Sequence, residues 1–401
     1  MHLSAIRLDS TVNMIVVAVL ALLAVVAVPW FWDRWKRKQV GRSATTLLAV
    51  VLVIVSTAMA GNMIGGFFPS LGALLGTQVY NAEGTNVGDN GDDLDKFRDA
   101  GQMRAKEGKS SIVTLTVKGD RTGITRNVSV YFPPQYYDKA YHDLKFPVIE
   151  WIPNYPSGPE VAICCYHLPE QLDLAIAKHV LAPTVVIMPD PTGVPKVGHD
   201  TECVDEVNGA ANDTFLTMDL RNWAIKKLGV SPNRRSWAIG GWSSGGYCAM
   251  NLVTRHPQWY GLAASVSGYD KASIDKETEN LFQGRQDIAD ANNITMNLAK
   301  HPSPVEILAI AGDKENNESQ SIAQMKKAVR PPTQLTSWVL ADAGHNMNAF
   351  KTQIPDVLAW LGQRLAGTST ELTSRATLTG DVRPWPLPQT GAQGALVDMV
   401  E

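Results

Sequence analysis

Two spacings of apolar residues alternate along most of the chain. Short runs recur as "SIVTLTVKG", "TRNVSVYFPP", "FPVIEWIP" (146–153), "TVVIMPD" (184–190), "SWAIGG", "LAASVSG" (262–268), "VEILAIAG" (305–312) and "TSWVLADAG" (336–344). The first two alternate polar with apolar residues around "DRTGI", a pattern that predicts a hairpin. The others are largely apolar throughout, as strands buried on both faces of a sheet are. Segments with helical spacing separate most of them: "PEQLDLAIAKHVL", "TFLTMDLRNWAIKKLG", "SGGYCAMNLVTRHP", "ESQSIAQMKKAV" and "NMNAFKTQIPDVLAWLGQRL". This order predicts an α/β domain over residues 111–366, a mainly parallel sheet with helices on both faces.

A third pattern occupies the N-terminus. Residues 14–32, "MIVVAVLALLAVVAVPWFW", carry no charge, and 43–65 are again apolar and uncharged. At about 1.5 Å per residue each run is long enough to cross a bilayer. A signal peptide is the alternative, but Arg7 is the one basic residue before the first run, and no A-x-A site follows it directly. Between the runs, Arg34, Lys36, Arg37, Lys38 and Arg42 outweigh Asp33. Short loops this basic stay cytoplasmic. Residues 1–76 are therefore expected to form a transmembrane hairpin in the cell membrane, with everything after Gly76 on the outer face. Residues 77–110, rich in Gly, Asp and Asn, read as a linker, and 367–401, rich in Thr, Gly and Pro, as a disordered tail. The tail contains "LPQTG", the core of a sortase signal, without the apolar span and basic end that such a signal needs, and the match reads as chance.

With 401 residues, 45% of them hydrophobic, the chain can bury one large core and still carry these appendages. Its net charge of -3 and the lack of a basic stripe outside the hairpin loop exclude nucleic acid as a partner. An outer location permits disulfides among Cys164, Cys165, Cys203 and Cys248. Four thiols allow three complete pairings. Cys203 with Cys248 is preferred, because their segments are expected to converge near the site described next; small buried apolar side chains are the alternative. No C-x-x-C or H-x-x-x-H spacing accompanies the cysteines, so no metal is expected, and no cofactor is implied.

In an α/β sheet, chemistry collects in the loops at the carboxyl ends of the strands. The loop after "SWAI" reads Gly241-Trp242-Ser243-Ser244-Gly245. It fits G-x-S-x-G, in which the serine sits on a sharp turn from strand to helix and the glycines permit close backbone packing. Alone the pentapeptide is weak evidence; the strand before it and the helix after it are the context it requires. A serine needs a base. Of the eight histidines, His345 follows the last strand and so reaches the same sheet edge, whereas His199, in a long loop, is a candidate substrate contact. The acid should lie between serine and histidine in chain order. "AIAGDKENNES" offers Asp313, Glu315 and Glu318; Glu315 is favoured, with Asp313 as the substitute. Oxyanion donors are expected from the N–H of Ser244 and, in "WIPNYPSG", from Tyr155, with Asn154 next, since the prolines cannot donate. Trp242 and Asn154 are expected to touch substrate, and the insertion 271–302 to wall the acyl site.

The order Ser243, Glu315, His345 on this strand pattern resembles the α/β-hydrolase fold. "FPVIEWIPNYPSG", "DTECVDEV", the long segment through "GGWSSGG" to "SVSG", and "AGHNMNAF" are similar to the esterase branch that includes feruloyl-type esterases and the mycolyltransferases of actinobacteria. The nearest resemblance is to membrane-anchored actinobacterial esterases, over about 112–365. It implies a serine carboxylesterase or acyltransferase with Ser243 as nucleophile, His345 as base and Glu315 as acid, acting on an acyl ester, a lipid or acylated sugar of the cell envelope. "PNYPS" departs from the His-Gly pair that many members carry in the first oxyanion loop. The alternative is a hydrolase fold kept as an inactive binding module of the envelope.

Overall fold

A computed structural model describes residues 7–8, 10–65, 71, 94–192 and 199–365. The tail expected over 367–401 and the first part of the expected linker, 77–93, lie outside the described residues.

Two helices, α1 (Thr11–Phe31) and α2 (Lys38–Gly65), pack along each other as a hairpin. Both are long and apolar enough to cross a membrane. Their large apolar side chains point outward: Leu22, Leu23, Leu47 and Ile54 are all exposed. The turn between the helices is basic, and Arg42 donates to an Asp33 carboxylate oxygen at 2.8 Å while its guanidinium lies over Trp32.

The other unit is built on eight strands. They are β1 (Ser111–Lys118), β2 (Thr125–Phe132), β3 (Val148–Ile152), β4 (Val185–Pro189), β5 (Trp237–Trp242), β6 (Leu262–Val266), β7 (Glu306–Gly312) and β8 (Gln334–Leu340), and each falls on one of the runs that the apolar pattern marks. They form one sheet in the order β1-β2-β4-β3-β5-β6-β7-β8. β1 and β2 make the antiparallel hairpin, β2 pairs antiparallel with β4, and the six strands from β4 to β8 run parallel. Every residue of β3, β4, β5 and β6 is buried. Val148, Val185 and Ile187 enter the main core, and the alternate residues Ile149, Val186 and Met188 are equally buried on the opposite face.

Along the chain before, between and after the strands come α3 (Leu94–Lys106), α4 (Pro159–Cys164), α5 (Leu168–Ala177), the helical run α6 (212–228), α7 (Ser244–Arg255), α8 (Gln286–Ala291), α9 (Ile294–Lys300), α10 (Asn316–Ala328), α11 (Met347–Lys351) and α12 (Ile354–Gly362). Two of these correct the sequence reading. The linker expected over 77–110 contains α3, because Phe97 buries its ring in the main core and Gly101, lacking a Cβ, leaves room for the Tyr137 ring. Arg104 then closes the helix end by donating to the Ser110 carbonyl at 2.8 Å. Gly and Asp in the composition obscured that single anchoring ring. The single helix expected near the C-terminus is divided into α11 and α12, and Pro355 sits in the first turn of α12, where its missing N–H costs nothing.

Candidate active site

The strand ends bring three side chains together. At the junction of β5 and α7, Ser243 adopts φ 58° and ψ -122°, a conformation that non-glycine residues rarely occupy. Two glycines make the turn possible by close approach. A Cβ on Gly241 would overlap the Gly245 backbone, and one on Gly245 would overlap the Ile152 carbonyl of β3. The Ser243 N–H donates to the Val266 carbonyl of β6 at 2.9 Å, fixing the turn from the neighbouring strand.

Ser243 Oγ lies 3.0 Å from His345 Nε2, and His345 Nδ1 lies 2.6 Å from Glu315 Oε1. Of the two acids held open by the sequence, Glu315 is the one against the imidazole; Asp313 is exposed. Glu315 is only 3% exposed and is itself held. It accepts from Ser267 Oγ at 2.6 and 2.9 Å and from the Gly312 N–H at 2.6 Å. Ser267, just past the end of β6, was not singled out from sequence; the signal was its position at the same sheet edge. With Nδ1–H donated to Glu315, the Nε2 lone pair faces the serine hydroxyl, a tautomer assigned from these partners. Glu318 approaches Nδ1 at 3.6 Å. Glu315, Glu318 and His345 bring their ligating atoms within 4.8 Å of one another, close enough for a metal. The Glu315 carboxylate, however, is already engaged by Ser267, Gly312 and His345.

Ser244 opens α7, so its N–H is one of those a helix start leaves without an intrahelical acceptor. The Tyr155 N–H points to the same place, but donates at 2.7 Å to the Ser244 hydroxyl. Trp242 and Asn154, expected to touch substrate, do not line the cleft. Trp242 is 3% exposed and packs against the His345 ring, with centroids 5.1 Å apart, and edge-on to Tyr166. Asn154, 7% exposed, accepts from the Tyr166 hydroxyl and donates to the Tyr155 carbonyl. Alternation along a strand end turns such neighbours inward, where they brace the loop and the imidazole. His199 is also buried, 3.0 Å from a Glu206 carboxylate oxygen, and does not line the cleft.

The cleft has a volume of about 760 Å³ and is lined by Ser243, Ser244 and Tyr155 together with the insertion after β6, among them Lys271, Ile274, Phe282 and Asn293. Among the described residues, acids dominate its charge: Asp200, Glu202, Asp270, Asp275, Asp290 and Glu318 face one lysine. A disulfide joins Cys203, beside Glu202, to Cys248 on α7; Cys164 and Cys165 are not disulfide-bonded.

Comparison with known proteins agrees with this architecture. The family model described as "Putative esterase" matches residues 119–376. An uncharacterized protein of Corynebacterium glutamicum is 24% identical over 329 residues, covering 78% of this chain and 74% of that one. The MPT51 antigen of Mycobacterium leprae is 42% identical over 74 residues, 18% of this chain and 24% of the antigen, a local likeness. Among solved structures, a ferulic acid esterase matches with a TM-score of 0.54 and 18% identity, covering 64% of this chain and 98% of that one. An S-formylglutathione hydrolase of Agrobacterium tumefaciens matches with a TM-score of 0.55 and 14% identity, over 65% and 97% of the two chains. At such identities the likeness shows the fold, which is that of the α/β-hydrolases.

Proposed function

From the premise that this chain belongs to the esterase family and is a carboxylic ester hydrolase, we propose that Ser243 is its nucleophile, His345 its base and Glu315 the acid that orients the base. The observation that carries this reading is the unbroken line from Ser243 Oγ through His345 to Glu315, at 3.0 and 2.6 Å. Ser243 Oγ attacks the ester carbonyl while its proton passes to His345 Nε2. The imidazolium, stabilised by Glu315, then delivers that proton to the departing alcohol oxygen as the C–O bond breaks. Water, or the hydroxyl of a second alcohol, gives its proton to His345 and attacks the acyl-enzyme, and His345 returns that proton to Ser243 Oγ as the bond between Oγ and the acyl carbon breaks. The developing oxyanion is held by the N–H groups of Ser244 and Tyr155. For Tyr155 to serve, the Ser244 hydroxyl that it now contacts has to turn aside.

The same reading places α1 and α2 across the cell membrane, the basic turn inside, and residues 111–366 outside as the catalytic domain. The apolar outward faces of the two helices support the first part. The Cys203–Cys248 disulfide supports the second, since such bonds persist in oxidising compartments. The substrate is then an acyl ester of the envelope, a lipid or acylated sugar, with free acid as the product of hydrolysis and a new ester as the product of transfer.

A fluorophosphonate probe tests the chemistry. The full chain in detergent should be labelled covalently at Ser243, and Ser243→Ala should not be. An unlabelled wild-type protein would leave the fold as an inactive binding module.

A further inference from the structure

The reaction as proposed leaves one part of the cleft unused. Glu202 lines the same cleft as Ser243 but is only 1% exposed. Its Oε1 accepts from the Tyr269 hydroxyl at 2.7 Å and from the Ser273 N–H at 3.0 Å. Its Oε2 is buried with no hydrogen-bond partner among the described residues. Asp200, also in the lining, accepts the Glu202 N–H at 3.0 Å. The turn is costly to build: Glu202 and Cys203 are consecutive residues with φ of 45° and 52°, and the disulfide ties them to the helix that begins beside Ser243.

A buried polar oxygen without a partner destabilises the fold unless something else satisfies it. The chemistry of the patch narrows what that is. Burial, with Asp200 nearby, pushes the Glu202 carboxyl well above its ordinary range and so favours the uncharged acid, which donates through one oxygen and accepts at the other. Its complement both accepts and donates, as a hydroxyl does. An anionic substrate would meet Asp275, Asp290 and Glu318 on the other parts of the lining. Ile274, Phe282 and Ala289 supply the apolar contacts on which the ring of a polyol could rest.

We infer that Glu202, with Tyr269 and Asp200 beside it, binds hydroxyl groups on the alcohol half of an uncharged polyhydroxylated ester, and so selects sugar or polyol esters over simple alkyl esters. This rests on the esterase reading of Ser243, since without an ester there is no alcohol half to select.

The test is a ratio measured on the full chain in detergent: kcat/KM for 6-O-octanoylglucose divided by kcat/KM for ethyl octanoate, two esters of one acid. Wild type should favour the glucose ester. Glu202→Ala should lower the ratio at least tenfold, mainly through KM for the glucose ester, because a site built around a hydroxyl discriminates by the partner left unpaired. Glu202→Gln, which keeps a donor and an acceptor, should hold the ratio within about threefold of wild type. Tyr269→Phe should lower it at least threefold and serves if Glu202→Ala does not fold. A ratio unchanged in both Glu202→Ala and Tyr269→Phe overturns the inference, as does a purely structural result in which both esters fall together. Calcium raising the melting temperature of wild type, but not of Glu202→Ala, with the ratio unmoved, would make the patch a cation site instead. Fluorophosphonate labelling of wild-type Ser243 keeps the two readings apart: no labelling sinks the esterase reading, whereas labelling with an unmoved ratio sinks this subsite alone.

Discussion

The two walls of the cleft are made from different materials. One is the carboxyl edge of the sheet, where Ser243, Ser267, Glu315 and His345 follow β5, β6, β7 and β8 and are fixed by backbone contacts between neighbouring strands. The other is loop, carrying Asp200, Glu202 and the insertion after β6, held by side-chain hydrogen bonds and one disulfide. A wall set by strand register tolerates almost no displacement. One set by side chains can change its partner without changing the chemistry opposite. On the proposed reading, bond breaking belongs to the first wall and choice of substrate to the second.

The sharpest way to break that division is at the nucleophile. Ser243→Ala should lower kcat for ester hydrolysis by about 10⁴-fold or more with the fold intact by circular dichroism. Next comes the acid: Glu315→Gln should cost about 10³-fold, because the imidazole loses the partner that fixes its tautomer, whereas Asp313→Asn should stay within about twofold; equal losses would remove Glu315 from its role. On the loop wall, replacing Cys203 and Cys248 together by serine should lower unfolding stability by about 2–4 kcal/mol, read by urea titration, and should disturb ester selectivity more than Ser243 labelling. Beneath both walls, Glu150 of β3 is wholly buried, accepts from the Tyr260 hydroxyl at 2.8 Å, and is pushed by burial from its ordinary 4.5 up to about 8. Below 4.5 both folded and unfolded chains carry the proton. Between about 4.5 and 8 only the folded chain keeps it, so this group makes stability fall as pH rises through that window, by about 1.4 kcal/mol per unit at most. Glu150→Gln should flatten that slope in melting temperature against pH. The smallest effect is expected at Ser244→Ala. Freeing the Tyr155 N–H should raise kcat/KM about two- to fivefold, whereas a tenfold fall would make the hydroxyl a third oxyanion donor.

The centre of the sheet was legible because burial on both faces leaves β3, β4, β5 and β6 each a short apolar run, and the β1–β2 hairpin because its polar and apolar residues alternate. The convergence of Ser243, Glu315 and His345 was legible for a related reason: chain order across parallel strands puts each following loop at one edge. What composition and order do not carry is side-chain direction. Trp242 and Asn154 stand next to the nucleophile and the first oxyanion loop in sequence, yet turn inward, and Glu202, an acid in a polar loop, gave no sign that it would be buried. Helix α3 was hidden by the glycines and aspartates around it, and one of those glycines, Gly101, is part of how it packs.

The crowding of carboxylates around the cleft has a kinetic meaning. On the proposed reading an uncharged ester would enter without electrostatic cost, and its hydrolysis would leave a carboxylate anion among Asp275, Asp290 and Glu318, with Lys271 the one lysine among the described residues of the lining. Repulsion of that kind would speed departure of the spent acid and discourage its return, a one-way valve for acyl groups released as free acid.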